Sequence, residues 1–300
     1  MCHVGQSCVF EEGEEILQEI MGIEIGSKQI QRVSEYYGEQ IERHIKVSHP
    51  AVIPEAKVKT KEDPVYLMID GSMINTRDEG WKEFKLSRIF SGSQDIEIQK
   101  DRSKIMNSVY VSHLGDCGVF FNKLERYLLP YERKVILADG AKWIWNWAED
   151  NYPGATQILD LYHAMEKLGR FSVNQFLKDE KRQQWMQKQK TSLLENEVHQ
   201  VIEELKSIKT NRKEAKATKD DVIRYFLEHE DRMQYKTYRQ DGLLVGSGPI
   251  ESAHRNVIQQ RLKLSGQRWS LKGAQQIANL RVMKKSNNWG CVLKLIKKAA

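Results

Sequence analysis

Four absences bound what this chain can be. No run of about 18 apolar residues occurs, so no transmembrane helix is expected. No basic stretch followed by an apolar core opens the sequence, so a secretory signal peptide is not expected either. Cysteine is scarce: Cys2, Cys8, Cys117 and Cys291 are scattered and make no disulfide framework, which fits a reducing cytoplasm. Cys2, His3 and Cys8 stand close together in "MCHVGQSC", but a zinc site needs about four ligands at finger-like spacing and the fourth is missing. The last absence is of negative charge. After Glu251, residues 252–300 hold eleven Lys or Arg and no Asp or Glu.

What is present is a charge gradient. Residues 1–63 carry 7 basic and 12 acidic side chains, residues 64–251 carry 29 of each, and the tail supplies the formal net charge of +6. A concentrated basic segment is an electrostatic footprint for nucleic acid or anionic lipid. A solvated basic helix gives the same composition. With 300 residues, 29% charged and 40% hydrophobic, the chain has the length and composition of one large or two modest soluble domains.

Residues 1–63 read as helices followed by a linker. "EEGEEILQEIMG" has helical spacing at Ile16, Leu17 and Ile20 with Gly22 as a stop, and "SKQIQRVSEYYGEQIERHI" repeats it with Ile30, Val33, Tyr37 and Ile41. Two helices about a Gly turn are a plain helical hairpin or a helix-turn-helix; the net acidity of the segment favours the former. "SHPAVIPEAKVKTKEDP" follows as the linker. Residues 64–163 change texture. "VYLMID", "EFKLSRIFS", "SVYVSHLG", "KVILADG" and "ATQILDLYH" read as strands, with "CGVFFNKLERYLL" and "AKWIWNWAEDNYP" as helices. The order β-β-β-α-β-α-β predicts a mixed sheet with helices on it. Residues 164–245 show no strand signal and read as a helical insertion. Residues 246–300 begin in the Gly-rich "VGSG" and continue as a basic helix.

Two apolar strands end in Asp-Gly, at Asp70 in "LMIDGS" and Asp139 in "ILADGA". The carboxyl ends of strands are where open α/β sheets bind ligands. Two neighbouring carboxylates repel unless a cation stands with them, and Mg²⁺ takes one or two carboxylates plus substrate phosphates. The pair therefore points to metal-assisted phosphoryl transfer; the bland alternative is turn chemistry, for which Asp-Gly is common. Glu251 falls near the third helical position after Gly248 and Pro249. There the helix dipole favours a carboxylate, and Arg255 lies at i+4. Asp160 and His163 in "DLYH" follow a strand directly. Trp143 and Trp147 share a helical face, for core packing or for base stacking.

Together, "LMIDGS", "WKEFKLSRIF", "SVYVSHLGD", "ILADGAKWIWNWAEDNYPGATQILDLYHAMEKL" and "VGSGPIESAHRNVIQQRLKLSGQRWS" resemble bacterial insertion-sequence transposases of the DDE superfamily, close to the ISKra type. The resemblance runs from about Val65 to Leu280. It implies an α/β RNase H-like core, a mixed sheet flanked by helices, with an all-α insertion before the final catalytic helix. It also implies that Asp70, Asp139 and Glu251 are the catalytic, metal-holding residues and that Asp160 and His163, similar to a C/D-x-x-H signature, neighbour the active site. The cofactor would be two Mg²⁺ or Mn²⁺ ions, the reaction phosphodiester cleavage and strand transfer, and the partner DNA (transposon ends and target), with a homodimer or higher assembly on DNA and no membrane. The setting implied is bacterial cytoplasm, near the nucleoid. Arg255, Arg261, Lys263, Arg268 and Lys272 are the DNA-binding candidates. The opening "MCHVGQSCVF" resembles the middle of a longer family member, so an N-terminally truncated copy is expected. Two other readings stay open: an inactive DNA-binding remnant, and a carboxylate-pair hydrolase such as a glycosidase, which the basic tail disfavours.

Overall fold

The computed structural model describes residues 1–47, 63–99, 102–128 and 133–299; the expected linker at 48–62 lies outside the described residues. The chain divides into two compact units, Met1–Arg133 with Pro249–Ala300, and Lys134–Gly248.

The first unit opens with α1 (Cys2–Ser7), α2 (Phe10–Met21) and α3 (Ser27–Val47). Gly22 takes the left-handed conformation at the end of α2, as its position in the sequence predicts. Ile30 and Ile41 of α3 are fully buried. Gly38 lies between them because α13 (below) approaches so closely that a Cβ there would run into the Gln276 carbonyl. Strands β1 (Val65–Thr76) and β2 (Gly80–Ser91) follow, then the small ribbon β3 (Asp95–Gln99) and β4 (Arg102–Ile105), β5 (Val109–Leu114) and α4 (Cys117–Glu125). β2 pairs antiparallel with β1 on one side and β5 on the other. Residues 65–69 are buried without alternation, as an apolar run covered on both faces must be.

The second unit holds β6 (Lys134–Ala138), α5 (Lys142–Asn151), β7 (Thr156–Leu159), α6 (Leu161–Gln175), α7 (Asp179–Leu194), α8 (Val198–Ser207), α9 (Lys213–His229) and α10 (Tyr235–Gln240). β6 and β7 are parallel, and α5 crosses over as a parallel pair requires. From α6 to α10 the described chain is helical.

The chain then enters α11 (Gly248–Ala253), which continues through a π-helical turn (His254–Gln259) into α12 (Gln260–Leu262); α13 (Leu271–Lys285) and α14 (Trp289–Ala299) complete the first unit. Arg281 of α13, buried, donates to the carbonyls of Asn256 and Val257 at 2.5 Å each and to that of Gln6. Antiparallel and parallel strands with helices packed on them make the chain α/β with mixed pairing, as expected of an RNase H-like fold. Two details differ from the sequence reading. The β3–β4 ribbon is added, and β1 does not end at Asp70 but runs six residues further into a hairpin with β2. The polar "GSMINT" carries no apolar run, and its strand character comes from pairing with β2.

Candidate active-site residues

Asp70 lies within β1, opposite Leu86 of β2, and its Oδ1 accepts from the Gly71 amide at 2.7 Å. The residue that sequence reasoning missed is His254. Its Nε2 stands 3.6 Å from Asp70 Oδ2, and its side chain is buried. Burial pushes the imidazole down to about 4, so it is neutral near pH 7. His254 follows Glu251 by three residues, one turn along the same helical path and about 4.5 Å along the axis. A second tie fixes that path: buried Arg88 of β2 donates from Nη1 to the Pro249 carbonyl at 2.9 Å. The segment that carries Glu251 is thus held against the hairpin that carries Asp70. Glu251 itself is exposed, in the first turn of α11. The helix begins one residue earlier than predicted, within the usual fraying of helix ends. The spacing Glu251-x-x-His254 was the available signal, and it matches Asp160-x-x-His163.

In the second unit, Asp139 follows β6 directly, as read from "ILADGA". Its Oδ1 accepts from the Ala141 amide at 3.0 Å and its carbonyl accepts from Trp145 Nε1 at 2.7 Å. Gly140 is required next to it, since a Cβ would strike the Tyr225 ring. Asp139 lines a pocket of about 300 Å³ with His163, Lys167, Arg170 and Tyr225. Lys167 is paired with Asp221 at 2.7 Å and Arg170 with Glu166 at 2.6 Å. Asp160 is fully buried and caps α6. It accepts from the amides of Tyr162, His163 and Ser247, at 3.2, 3.1 and 2.8 Å, and binds His163 Nδ1 at 2.5 Å. Burial alone would raise its pKa; the hydrogen bonds from His163 and Ser247 outweigh burial and hold it below the usual carboxylate value. Asp160 thereby sets the imidazole plane of His163 at the pocket that contains Asp139.

The five basic candidates separate. Arg255, Lys263, Arg268 and Lys272 are exposed, and Lys272 is paired with Glu39 at 3.0 Å. Arg261 is 1% exposed, its guanidinium carbon 4.7 Å from the centre of the Phe10 ring and 4.9 Å from that of Trp269. It does not share the solvent-facing position of the other four. Of the two tryptophans read on one helical face, Trp147 is buried in the core and Trp143 is half-buried. The Cys2 thiol is pushed up to about 11 by burial and stays protonated, which suits packing rather than metal binding.

Among the described residues, no three His, Cys, Asp or Glu side chains form a group able to hold a metal ion. The chemistry of Asp70, Asp139 and Glu251 nevertheless fits Mg²⁺ or Mn²⁺. These ions prefer carboxylate oxygens and complete their shells with water and substrate phosphates rather than an all-protein cage. No helix among the described residues is long and apolar enough to cross a membrane.

No protein-family profile matches the chain, and no curated protein matches it in sequence. In structure it is similar to the Drosophila P element transposase strand transfer complex, with a TM-score of 0.40 and 9% identity over 92% of this chain and 96% of that one. A similarity of that size carries no inference about chemistry.

Proposed function

We propose that the protein is a metal-dependent DNA phosphoryl-transfer enzyme of the DDE transposase kind, acting through Asp70, Asp139 and Glu251. The observation that supports this reading is the 3.6 Å approach of His254 to Asp70, since His254 lies one helical turn after Glu251 on the same helical path. The sequence blocks that resemble DDE transposases supply the rest. A divalent cation held by these carboxylates would stabilise charge on the phosphate during attack. The chain's own residues do the remaining work. Arg255, Lys263 and Arg268 neutralise backbone phosphates and position DNA without reading its sequence. Asp160 orients His163, and Lys167 and Arg170 place positive charge at the pocket of Asp139.

The test is cleavage and strand transfer on transposon-end DNA with Mg²⁺, comparing wild type with Asp139→Asn. Loss of at least a hundredfold in the variant is expected; equal activity in both excludes the assignment. A second reading, a DNA-binding protein without catalysis, rests on the exposed Arg255, Lys263 and Arg268 alone. It predicts salt-dependent DNA binding with no metal-dependent cleavage by the wild type.

A further inference from the structure

Arg261 and Arg281 are both buried cations of the first unit, and they are satisfied very differently. Arg281 donates to three carbonyls. Among the described residues Arg261 makes one hydrogen bond, from Nε to the Gly5 carbonyl at 3.0 Å, and its Nη2 is buried without a partner. No carboxylate pairs with it among the described residues. A buried charge without a counter-ion is strongly disfavoured, and the adjoining Phe10 and Trp269 rings compensate it only in part. Among the described residues its Nη2 lacks an acceptor. Burial lowers its pKa only to about 10, so it remains a cation at neutral pH.

The surroundings form a built pocket of about 300 Å³, lined in part by Arg77, Arg261, Arg268 and Trp269. Among the described residues Trp269 Nε1 is a second buried donor without a partner, and Gln267 Oε1 is a buried amide oxygen without one. Arg77 is fixed there by its amide on the Trp269 carbonyl at 2.9 Å and its Nε on the Arg268 carbonyl at 3.2 Å. Two carboxylates, Glu11 and Glu35, also line the pocket, and neither is ion-paired to an arginine among the described residues. Two unfilled donors, one of them cationic, behind exposed arginines define an acceptor-rich anionic ligand.

We propose that this pocket is an oxyanion site that takes a phosphate group, through Arg261 Nη2 and Trp269 Nε1 with Arg77 and Arg268 at its mouth. The group comes either from a DNA backbone or from free phosphate, and the donors required are the same. The site is independent of the acidic residues discussed above.

Isothermal titration of the full chain with inorganic phosphate tests it. Saturable binding is expected. Trp269→Phe keeps the ring, removes the Nε1 donor and should weaken binding roughly five- to tenfold. Glu35→Gln removes a repelling charge and should tighten it, a change that a purely packing role for the pocket would not produce. Arg261→Met should abolish binding; its melting temperature separates loss of the site from loss of the fold. Displacement of phosphate by a short duplex assigns the group to DNA; binding that a duplex does not disturb assigns it to free phosphate. No saturable binding by the wild type, or equal binding by wild type and Trp269→Phe, overturns the proposal. Asp139→Asn should bind phosphate like the wild type, so failure of the catalytic assignment leaves this result standing.

Discussion

Replacing Asp160 by Ala should destabilise the second unit more than its small change in volume implies. The carboxylate is fully buried and accepts three backbone amides and the His163 ring. Loss of a helix N-cap costs about 1 kcal/mol. Stranding the Ser247 amide in the interior adds about 1–3 kcal/mol. A total of about 3 kcal/mol follows. Urea unfolding of the full chain, followed by tryptophan fluorescence, is the assay. With a slope of about 2 kcal/mol per molar urea, the midpoint of the transition should fall by about 1.5 M. Asp160→Asn keeps one acceptor oxygen and should lose less. The pH dependence has a definite sign. The folded carboxyl titrates below its ordinary 3.8, so the unfolded chain takes up the proton first as pH falls. The contribution is whole above about pH 4 and is lost as pH drops through the folded pKa. A midpoint shift below about 0.3 M for Asp160→Ala would refute the reasoning.

Three further outcomes are expected. Burial, with the charge of Arg232 next, pushes His229 from 6.5 down to about 4; stability should therefore fall as pH drops from 6.5 to 4, by on the order of 2 kcal/mol, and His229→Phe should flatten that slope in thermal melts across this range. Gly38→Ala forces a methyl group against the Gln276 carbonyl and should cost about 1–3 kcal/mol, read as a lowered melting temperature, with Gly38→Val worse. If the exposed basic residues hold DNA, the double change Lys263→Gln with Arg268→Gln should weaken binding on any sequence and reduce the slope of log K against log salt by about 2.

Much of the architecture was legible because it is written in local pattern. The apolar runs at Val65–Ile69 and Val135–Ala138 are buried strands, and Gly22 and Pro153 stand where helices stop. The polar stretches were harder. β1 beyond Asp70 and the ribbon of β3 and β4 are strands by pairing, a long-range property that residue type does not encode. At the candidate sites, Asp139 stands at a strand end as its Asp-Gly signal predicts, whereas Asp70 lies mid-strand because the hairpin continues. His254 was overlooked because a lone histidine within "PIESAHRNVIQQRLK" has no signature until its neighbour across the fold is known.

The basic tail shows why net charge is an incomplete argument for nucleic-acid binding. All eleven basic residues of 252–300 enter the composition equally, yet Arg261 and Arg281 are removed from solvent. Arg281 serves the fold: a π-helical turn misaligns carbonyls that an α-helix would satisfy internally, and its guanidinium supplies the donors they lack. It therefore fixes the turn that contains His254, and through His254 the distance between the Glu251 helix and Asp70. Arg261 has no comparable set of acceptors, so its burial needs a different reason, and a ligand that brings the missing anion is one that physical chemistry provides. In the proposed function, surface steering of DNA falls to Arg255, Lys263 and Arg268, whose charges remain in water. One stretch of positive charge in the sequence is thus divided by burial and by hydrogen-bond partners rather than by residue type.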